Sequence, residues 1–399
     1  MNLANALVEA GHKVVLWSSA FHHREKRHRS CGASKISVSP QLEIRLIPSP
    51  GYKRNISVGR LWDHLILARN LKQLLKQETS LPDVAFIGYP PIETAAVMAR
   101  WLAVLGVPCL LDVRDQWPSL FLNAMPVRLR ALGRLALWPY FYYSKVAMQQ
   151  ATGLSSMADS FLQWGLDFIG REKSSNDIVA PLTLPSLPLG EDQLREARLW
   201  WDKQGICAEG CALRLVFIGS HSPAFDFTPV RDAAVSFAQR GMSVQFVLCG
   251  DGGFSTQLRS MMANIPGVFF PGWVDRAQIE ALALRSLAAI APYKNTEDFV
   301  MSVPNKVIDA LSLGLPVLSP LQGEVAKLIT KHGVGLRYGT DSGKSLTQCI
   351  EMLIDNPALR QQLSKNSLHL YQEKFSFDRV YGGLVKHLET LSLKKRPDA

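Results

Sequence analysis

The sequence is short of every feature that would take it out of the globular class. No apolar run approaches the ~18 residues needed to cross a bilayer. The longest, residues 101–111 and 178–190, are short, and the second is broken by Pro181, Pro185 and Pro188. The amino end lacks the order of basic, apolar and small residues that marks a secretory signal. Cysteine is sparse, at 31, 109, 207, 211, 249 and 349; only Cys207 and Cys211 are close, with no second pair to complete a zinc site. These absences predict a reduced, cytoplasmic protein with no structural metal. Acid is scarce at the amino end, where residues 1–60 carry ten Lys and Arg against three Glu, much of the excess in HHREKRHR at 22–29. A basic face suits nucleic acid, anionic lipid or no specific partner. No recognisable nucleic-acid module accompanies it, so nucleic acid is not expected as a partner.

What is present suits two domains: 399 residues, 47% apolar and 20% charged, are too many for one ordinary core. Strand-like and helix-like segments alternate as βα units do. Strands are predicted at 14–18, 42–47, 84–88, 108–113 and 153–157, with helices at 59–76, 92–105 and 126–147, the last kinked at Pro139. Residues 174–190, rich in Ser and Pro, read as a linker. Beyond it, strands at 213–218, 244–248, 268–270, 287–291 and 335–338 alternate with helices. The chain opens inside a helix (Leu3, Ala6, Leu7, Ala10) with no strand before it. That strand would be central in a doubly wound sheet, so a mis-assigned start or a truncated gene is expected.

Residues Ser302–Gly323, SVPNKVIDALSLGLPVLSPLQG, organise the second half. Ser302 can cap a helix and Pro304 suits its first turn. Val307, Ala310 and Leu311 make one face apolar, Gly314 ends the helix, and Pro316 begins a buried strand. Such a helix turns free amides and its positive dipole end toward a site where a phosphate would sit. Asn305 and Lys306 lie in the first turn and Asp309 one turn on, which places an amide, a cation and a carboxylate together. Gly250-Asp251-Gly252 after a strand is by itself a weak signal.

Read as text, PNKVIDALSLGLPVLSPLQGE resembles the donor-site segment of family 4 glycosyltransferases, retaining enzymes of the GT-B fold. FVLCGDGGFSTQLRSMMANIPGVFFPGWVDRAQIEALALRSLAAIAPY and the FSFDRV tail extend the likeness over about residues 210–390. The resemblance implies an α/β GT-B fold, two doubly wound Rossmann-like domains facing across a cleft, with the first strand of the amino-terminal domain missing. The expected bounds are 1–185 for the acceptor side, 186–375 for the donor side, and 376–399 for a helix packing back on the first domain. It further implies that Asp309, where the family has Glu, holds the ribose of a nucleotide sugar, and that Gly250 and Gly252 let base and ribose approach the backbone. The family's earlier Glu falls on Met301, as in a branch that includes proposed N-acetyl-L-fucosamine transferases. The usual Arg and Lys clamp is also absent after the first strand of this half. The expected substitutes are the amides of Gly219 and Ser220 with Lys294 and Lys306. Uridine diphosphate is the family's usual carrier, and no cofactor is expected beside this donor substrate.

Three first-half segments, DVRDQWP, WSSAFHHREKRHR and PSPGYKRNISVGRLWDHL, resemble the same branch. In DVRDQWP, Arg114 and Asp115 stand where most relatives carry a catalytic His-Asp. The functional expectation gives Arg114 a phosphate and Asp115 the acceptor hydroxyl; the structural alternative pairs Arg114 with Asp112 or Asp115. VRLRALGRLALWPYFYYSK joins Arg128, Arg130 and Arg134 to Trp138 and several tyrosines, a composition for a helix lying on an anionic membrane, with a buried core helix as the alternative. The expected activity is sugar transfer to a polyprenyl-diphosphate-linked glycan on the inner face of the cytoplasmic membrane, in surface-polysaccharide assembly such as O-antigen or capsule. The rivals are a nucleotide-sugar 2-epimerase of the same fold and a decayed, non-catalytic transferase.

Overall fold

The computed structural model describes residues 1–23, 25–54, 57–123, 125–183, 189–206, 213–339 and 343–394. Cys207 and Cys211, and the expected boundary at 185, lie outside them. The chain divides into two compact units, residues 1–181 with 380–399, and residues 182–379.

The first unit runs α1 (Asn2–Glu9), β1 (Val14–Ser19), β2 (Phe21–His22), β3 (Arg27–His28), β4 (Ser34–Ser39), β5 (Leu42–Ile47), α2 (Val58–Leu75), β6 (Ala85–Tyr89), α3 (Ile92–Val104), β7 (Cys109–Val113), α4 (Ser119–Asn123), α5 (Arg130–Ala136), α6 (Trp138–Gln150), β8 (Gly153–Ser156), α7 (Asp159–Ile169) and β9 (Ile178–Val179). Its strands form two sheets, ordered β1-β5-β4 and β6-β7-β8-β9, with β2 and β3 as a separate hairpin. Every pairing in the second sheet is parallel, and β7, CLLDV, is buried along its whole length between β6 and β8. That is the pattern of a parallel strand covered on both faces. The free edges of β1 and β6 pair with no strand among the described residues.

Shared helices join the two sheets. Leu3 and Leu7 of α1 pack against Phe86 and Leu110 of the second sheet, while Trp17 and Ile47 of the first pack against α2 and α3. Ser57 caps α2, its hydroxyl accepting from the Arg60 amide. The predicted helix 126–147 is instead broken: a short 3₁₀ turn at Val127–Leu129, then α5, then α6. Pro139 sits in the first turn of α6, where its missing N–H costs nothing, so it starts a helix and does not kink one.

The second unit runs α8 (Glu191–Lys203), β10 (Leu213–Ile218), α9 (Thr228–Gln239), β11 (Val244–Cys249), α10 (Ser255–Met261), β12 (Val268–Gly272), α11 (Arg276–Ala283), β13 (Ala288–Ile290), α12 (Glu297–Val300), α13 (Asn305–Ser312), β14 (Val317–Ser319), α14 (Gly323–His332), β15 (Gly335–Arg337), α15 (Gly343–Asp355) and α16 (Pro357–Leu370). Its single parallel sheet has the order β12-β11-β10-β13-β14-β15. The order reverses beside β10, the place where open α/β sheets bind ligands. The last helix, α17 (Phe377–Ser392), returns to the first unit and buries Val380, Leu384, Leu388 and Leu391 against Leu110 and Ala180.

Candidate functional site

Strands β10 and β11 are in register from Leu213–Val244 to Ile218–Cys249, so they end level and set Gly219 beside Gly250. Both glycines adopt positive φ, +138° and +118°, a region closed to side chains. A Cβ on Gly250 would fall on the carbonyl of Gly219, and one on Gly252 on the backbone of His221. The two loops therefore touch backbone to backbone, and only glycine permits it. They are also tied: the Gly219 amide donates to Cys249 O (3.1 Å), His221 N to Asp251 O (3.0 Å), and Phe254 N to His221 O (3.2 Å).

Helix α13 brings the third segment. Its first residue is Asn305 and its N-cap is Pro304; Ser302 is buried and does not cap it, contrary to expectation. Lys306 reaches back from the first turn, and its ammonium donates to Ile218 O (2.6 Å) at the end of β10. The same ammonium lies where a Gly219 side chain would be, 4.8 Å from the Phe217 ring and 5.4 Å from the Phe225 ring. Burial pushes its pKa down to about 8, against the pull of Asp309. Asp309 is reachable by solvent but stands in a walled recess, which pushes its carboxyl up to about 6. Lys306 and Asp309 line a cavity of about 580 Å³, with Arg276, Glu280, Ile218, Ile279, Leu284 and Ile290 also in its wall.

The other expected site residues sit in varied surroundings. Tyr293 is buried under the start of α13, and burial raises the pKa of its hydroxyl, with the Lys306 backbone opposing. Ser220, Asp251, Gly252, Lys294 and Asn305 are exposed, and the Gly252 amide is taken up by Asp251 Oδ1 and Ser255 Oγ, both at 2.8 Å. That amide and the Ser255 hydroxyl hold the Asp251 carboxyl below its usual range. Lys294 is fixed through its backbone, which donates to Ala224 O (3.0 Å). In the first unit, Arg114 is anchored on Asp112 (2.6 Å), the structural alternative, and Asp112 also accepts from Ser155 (2.7 Å). Asp115 is half-buried beside it. Arg128, Arg130, Arg134 and Trp138 are all exposed, so their segment is not a buried core helix.

His221 stands where the resemblance calls for a clamp arginine, so residue order alone gives it no role. It is 1% exposed, with Nδ1 2.9 Å from Ser255 Oγ and its ring among Phe217, Phe227 and Phe270. Burial holds its pKa below the ordinary value, with Arg259 and Lys306 adding to the effect and Asp251 opposing it. Its backbone clasps the 250–254 loop and its ring holds the serine that fixes Gly252. Its position directly after Gly219-Ser220 was the available signal. Tyr293, under the start of α13, had none.

Residues 212–356 match the family model described as Glycosyl transferases group 1. That segment contains both glycine loops, Lys306 and Asp309. No curated protein matches the sequence. Among solved structures, sucrose-phosphate synthase from Thermosynechococcus elongatus aligns with a TM-score of 0.68 at 14% identity, over 98% of this chain and 91% of that one. WaaG, a glycosyltransferase involved in lipopolysaccharide biosynthesis, aligns at 0.63 and 14%, over 97% and 94%. HepE from Anabaena, solved in complex with UDP, aligns at 0.59 and 15%, over 87% and 86%. The fold is thus an α/β fold of parallel sheets that matches GT-B glycosyltransferase structures. No helix among the described residues is long and apolar enough to cross a membrane.

Proposed function

We propose that the protein is a retaining glycosyltransferase that takes its sugar from a nucleotide diphosphate carrier, UDP being the first candidate. The observation that carries this reading is the convergence of Gly219, Gly250 and the Lys306 ammonium at one turn, where bare backbone and a fixed cation meet. A diphosphate leaving with about two negative charges is stabilised by donors already held in place. Lys306 spends one N–H on Ile218 O and has two more to offer a phosphate oxygen, while Asp309 accepts from the ribose hydroxyls. Front-face attack, with acceptor and leaving phosphate on one side of the sugar, asks little of a separate base. The UDP in the HepE structure and the UDP-2-fluoro glucose of the trehalose-6-phosphate structure from E. coli favour the same donor class. An amino-deoxyhexose is the sugar suggested by the family branch that the sequence resembles.

For the acceptor we propose a polyprenyl-diphosphate-linked glycan at the inner face of the cytoplasmic membrane, in surface-polysaccharide assembly. The support is the surface of α5 and α6. Val127, Leu132, Leu135 and Trp138 are 75, 65, 75 and 62% exposed, interleaved with Arg128, Arg130 and Arg134. No Asp or Glu occurs between Asp115 and Asp159. Large exposed apolar side chains among arginines, without acid, suit the boundary of an anionic bilayer.

Thermal unfolding with a panel of nucleotide sugars tests the donor site. A ligand at 100 times its dissociation constant adds about 2.7 kcal/mol of stability, and Lys306→Ala removes most of that gain. A panel in which no nucleotide sugar stabilises the wild type would reject the reading.

A further inference from the structure

Helix α2 carries a second unburied stripe, on an element for which the donor site has no use. Its inner face is settled: Leu67, Leu71 and Leu75 form one cluster with Ile47 of β5 and with Val97, Met98 and Trp101 of α3. On the opposite side, Val58, Trp62 and Leu65 are 82, 58 and 45% exposed. Arg69 and Lys72 continue the line and are exposed as well. Steps of four, three, four and three residues keep all five on one side of the helix. The stripe changes character along its length, apolar over its first part and cationic beyond. Lys53 and Arg54, exposed in the loop before α2, add positive charge at the apolar end.

We propose that this face of α2 is a second lipid-contacting surface, which docks on an anionic bilayer at the level of its headgroups. The sign of the charge selects the partner. Helices α2, α3, α5 and α6 together hold two acids, Asp63 and Glu93, and both are buried. Asp63 is occupied on the inner side, where it accepts from the Gly51 amide (2.6 Å). No carboxylate of these four helices therefore faces outward to repel lipid phosphate, while each exposed Lys and Arg attracts it. Trp62, in the middle of the apolar part, is the residue type that settles at a headgroup boundary, its ring in apolar surroundings and its indole N–H wet. At ~1.5 Å per residue the apolar part is about 10 Å long and the cations follow within about another 10 Å. Those are dimensions for lying in the interface and not for crossing it. Helix α3 packs against both α2 and α6, so the stripe belongs to the same helical layer as the α5–α6 surface. Two contacts carried by one body hold it more tightly than either alone.

The proposal takes from the preceding reading only the class of partner, an anionic membrane, and one experiment separates the two. The full chain is sedimented with vesicles of phosphatidylglycerol in phosphatidylcholine. Trp62→Ser combined with Leu65→Ser should weaken binding about tenfold or more at low and high salt alike. Arg69→Gln combined with Lys72→Gln should weaken it about tenfold at low salt, an effect that fades as salt rises. These side chains are exposed, so the urea midpoints of both variants should match wild type. Lipids brominated on their acyl chains should quench the tryptophan emission of wild type more than that of Trp62→Phe. Binding lost on replacing Arg128, Arg130 and Arg134 but unchanged by the α2 substitutions overturns the proposal and leaves the earlier reading standing. Binding lost on the α2 substitutions alone upholds the proposal and removes the role of α5 and α6. Wild type that sediments with no vesicle overturns both. Self-association without lipid that Trp62→Ser with Leu65→Ser abolishes, vesicle binding being unchanged, assigns the stripe to a second copy and also overturns the proposal.

Discussion

Single residues carry the site through what they leave out. Gly250 and Gly253 are three positions apart and look alike in the sequence, yet their surroundings differ. A methyl group at 250 meets the Gly219 carbonyl and a positive φ, whereas one at 253 meets nothing within 4 Å. Gly250→Ala should cost on the order of 2–4 kcal/mol and abolish nucleotide binding, while Gly253→Ala should stay within about 0.5 kcal/mol. Urea midpoints of the two variants check this, and equal midpoints would remove the argument for backbone contact. Glu93 gives a pH signature. Its folded pKa is raised from 4.5 to about 7, so the native state holds the extra proton and stability falls as pH rises through that window. His64, lowered from 6.5 to about 4, works oppositely: the unfolded chain binds the proton, and stability rises from pH 4 to 6.5. Glu93→Gln removes the first effect and keeps the second. Its stability relative to wild type should therefore grow by roughly 1–3 kcal/mol between pH 5 and pH 8, read from urea unfolding at both values. A constant difference would mean that Glu93 does not titrate there.

Secondary-structure elements show where pattern reading succeeds and where it stops. Strands β10 and β11 were legible because a buried parallel strand is a short apolar run closed by glycine. Helix α13 was legible from the spacing of Val307, Ala310 and Leu311. The hairpin β2–β3 and strand β4 were not, since charged and serine-rich segments carry little apolar alternation. The break at Leu137 was missed because proline reads equally as a kink or a first turn, and only the flanking backbone separates the two. The α5–α6 surface yields a prediction at this scale. Replacing Arg128, Arg130 and Arg134 with Gln should cut sedimentation with anionic vesicles and make the remainder less sensitive to salt. Replacing Leu132, Leu135 and Trp138 with Ser should cut it at low and high salt alike. Vesicle binding indifferent to both sets would leave this surface without a lipid role.

At the scale of the molecule, the first unit is assembled from both ends of the chain. Four apolar side chains of α17 complete the core around Leu110 and Ala180. At about 1.5–3 kcal/mol each, their removal is worth on the order of 6–12 kcal/mol, comparable with the whole stability of a domain. A chain ending at residue 379 should lose protease protection over 1–181 and keep it over 213–339. Equal protection of both regions would show that α17 is dispensable.

From residue order alone came the α/β class, the alternation of elements, the start of α13 and the glycine turns, because each is a local pattern with a local cause. Which groups meet across the chain was not there to be read. Lys306 beneath Gly219, His221 under the 250–254 loop and Arg60 between Tyr52 and Trp117 join residues far apart in the sequence that different elements carry together. Their charges and hydrogen bonds depend on burial, and burial exists only once the sheets have closed.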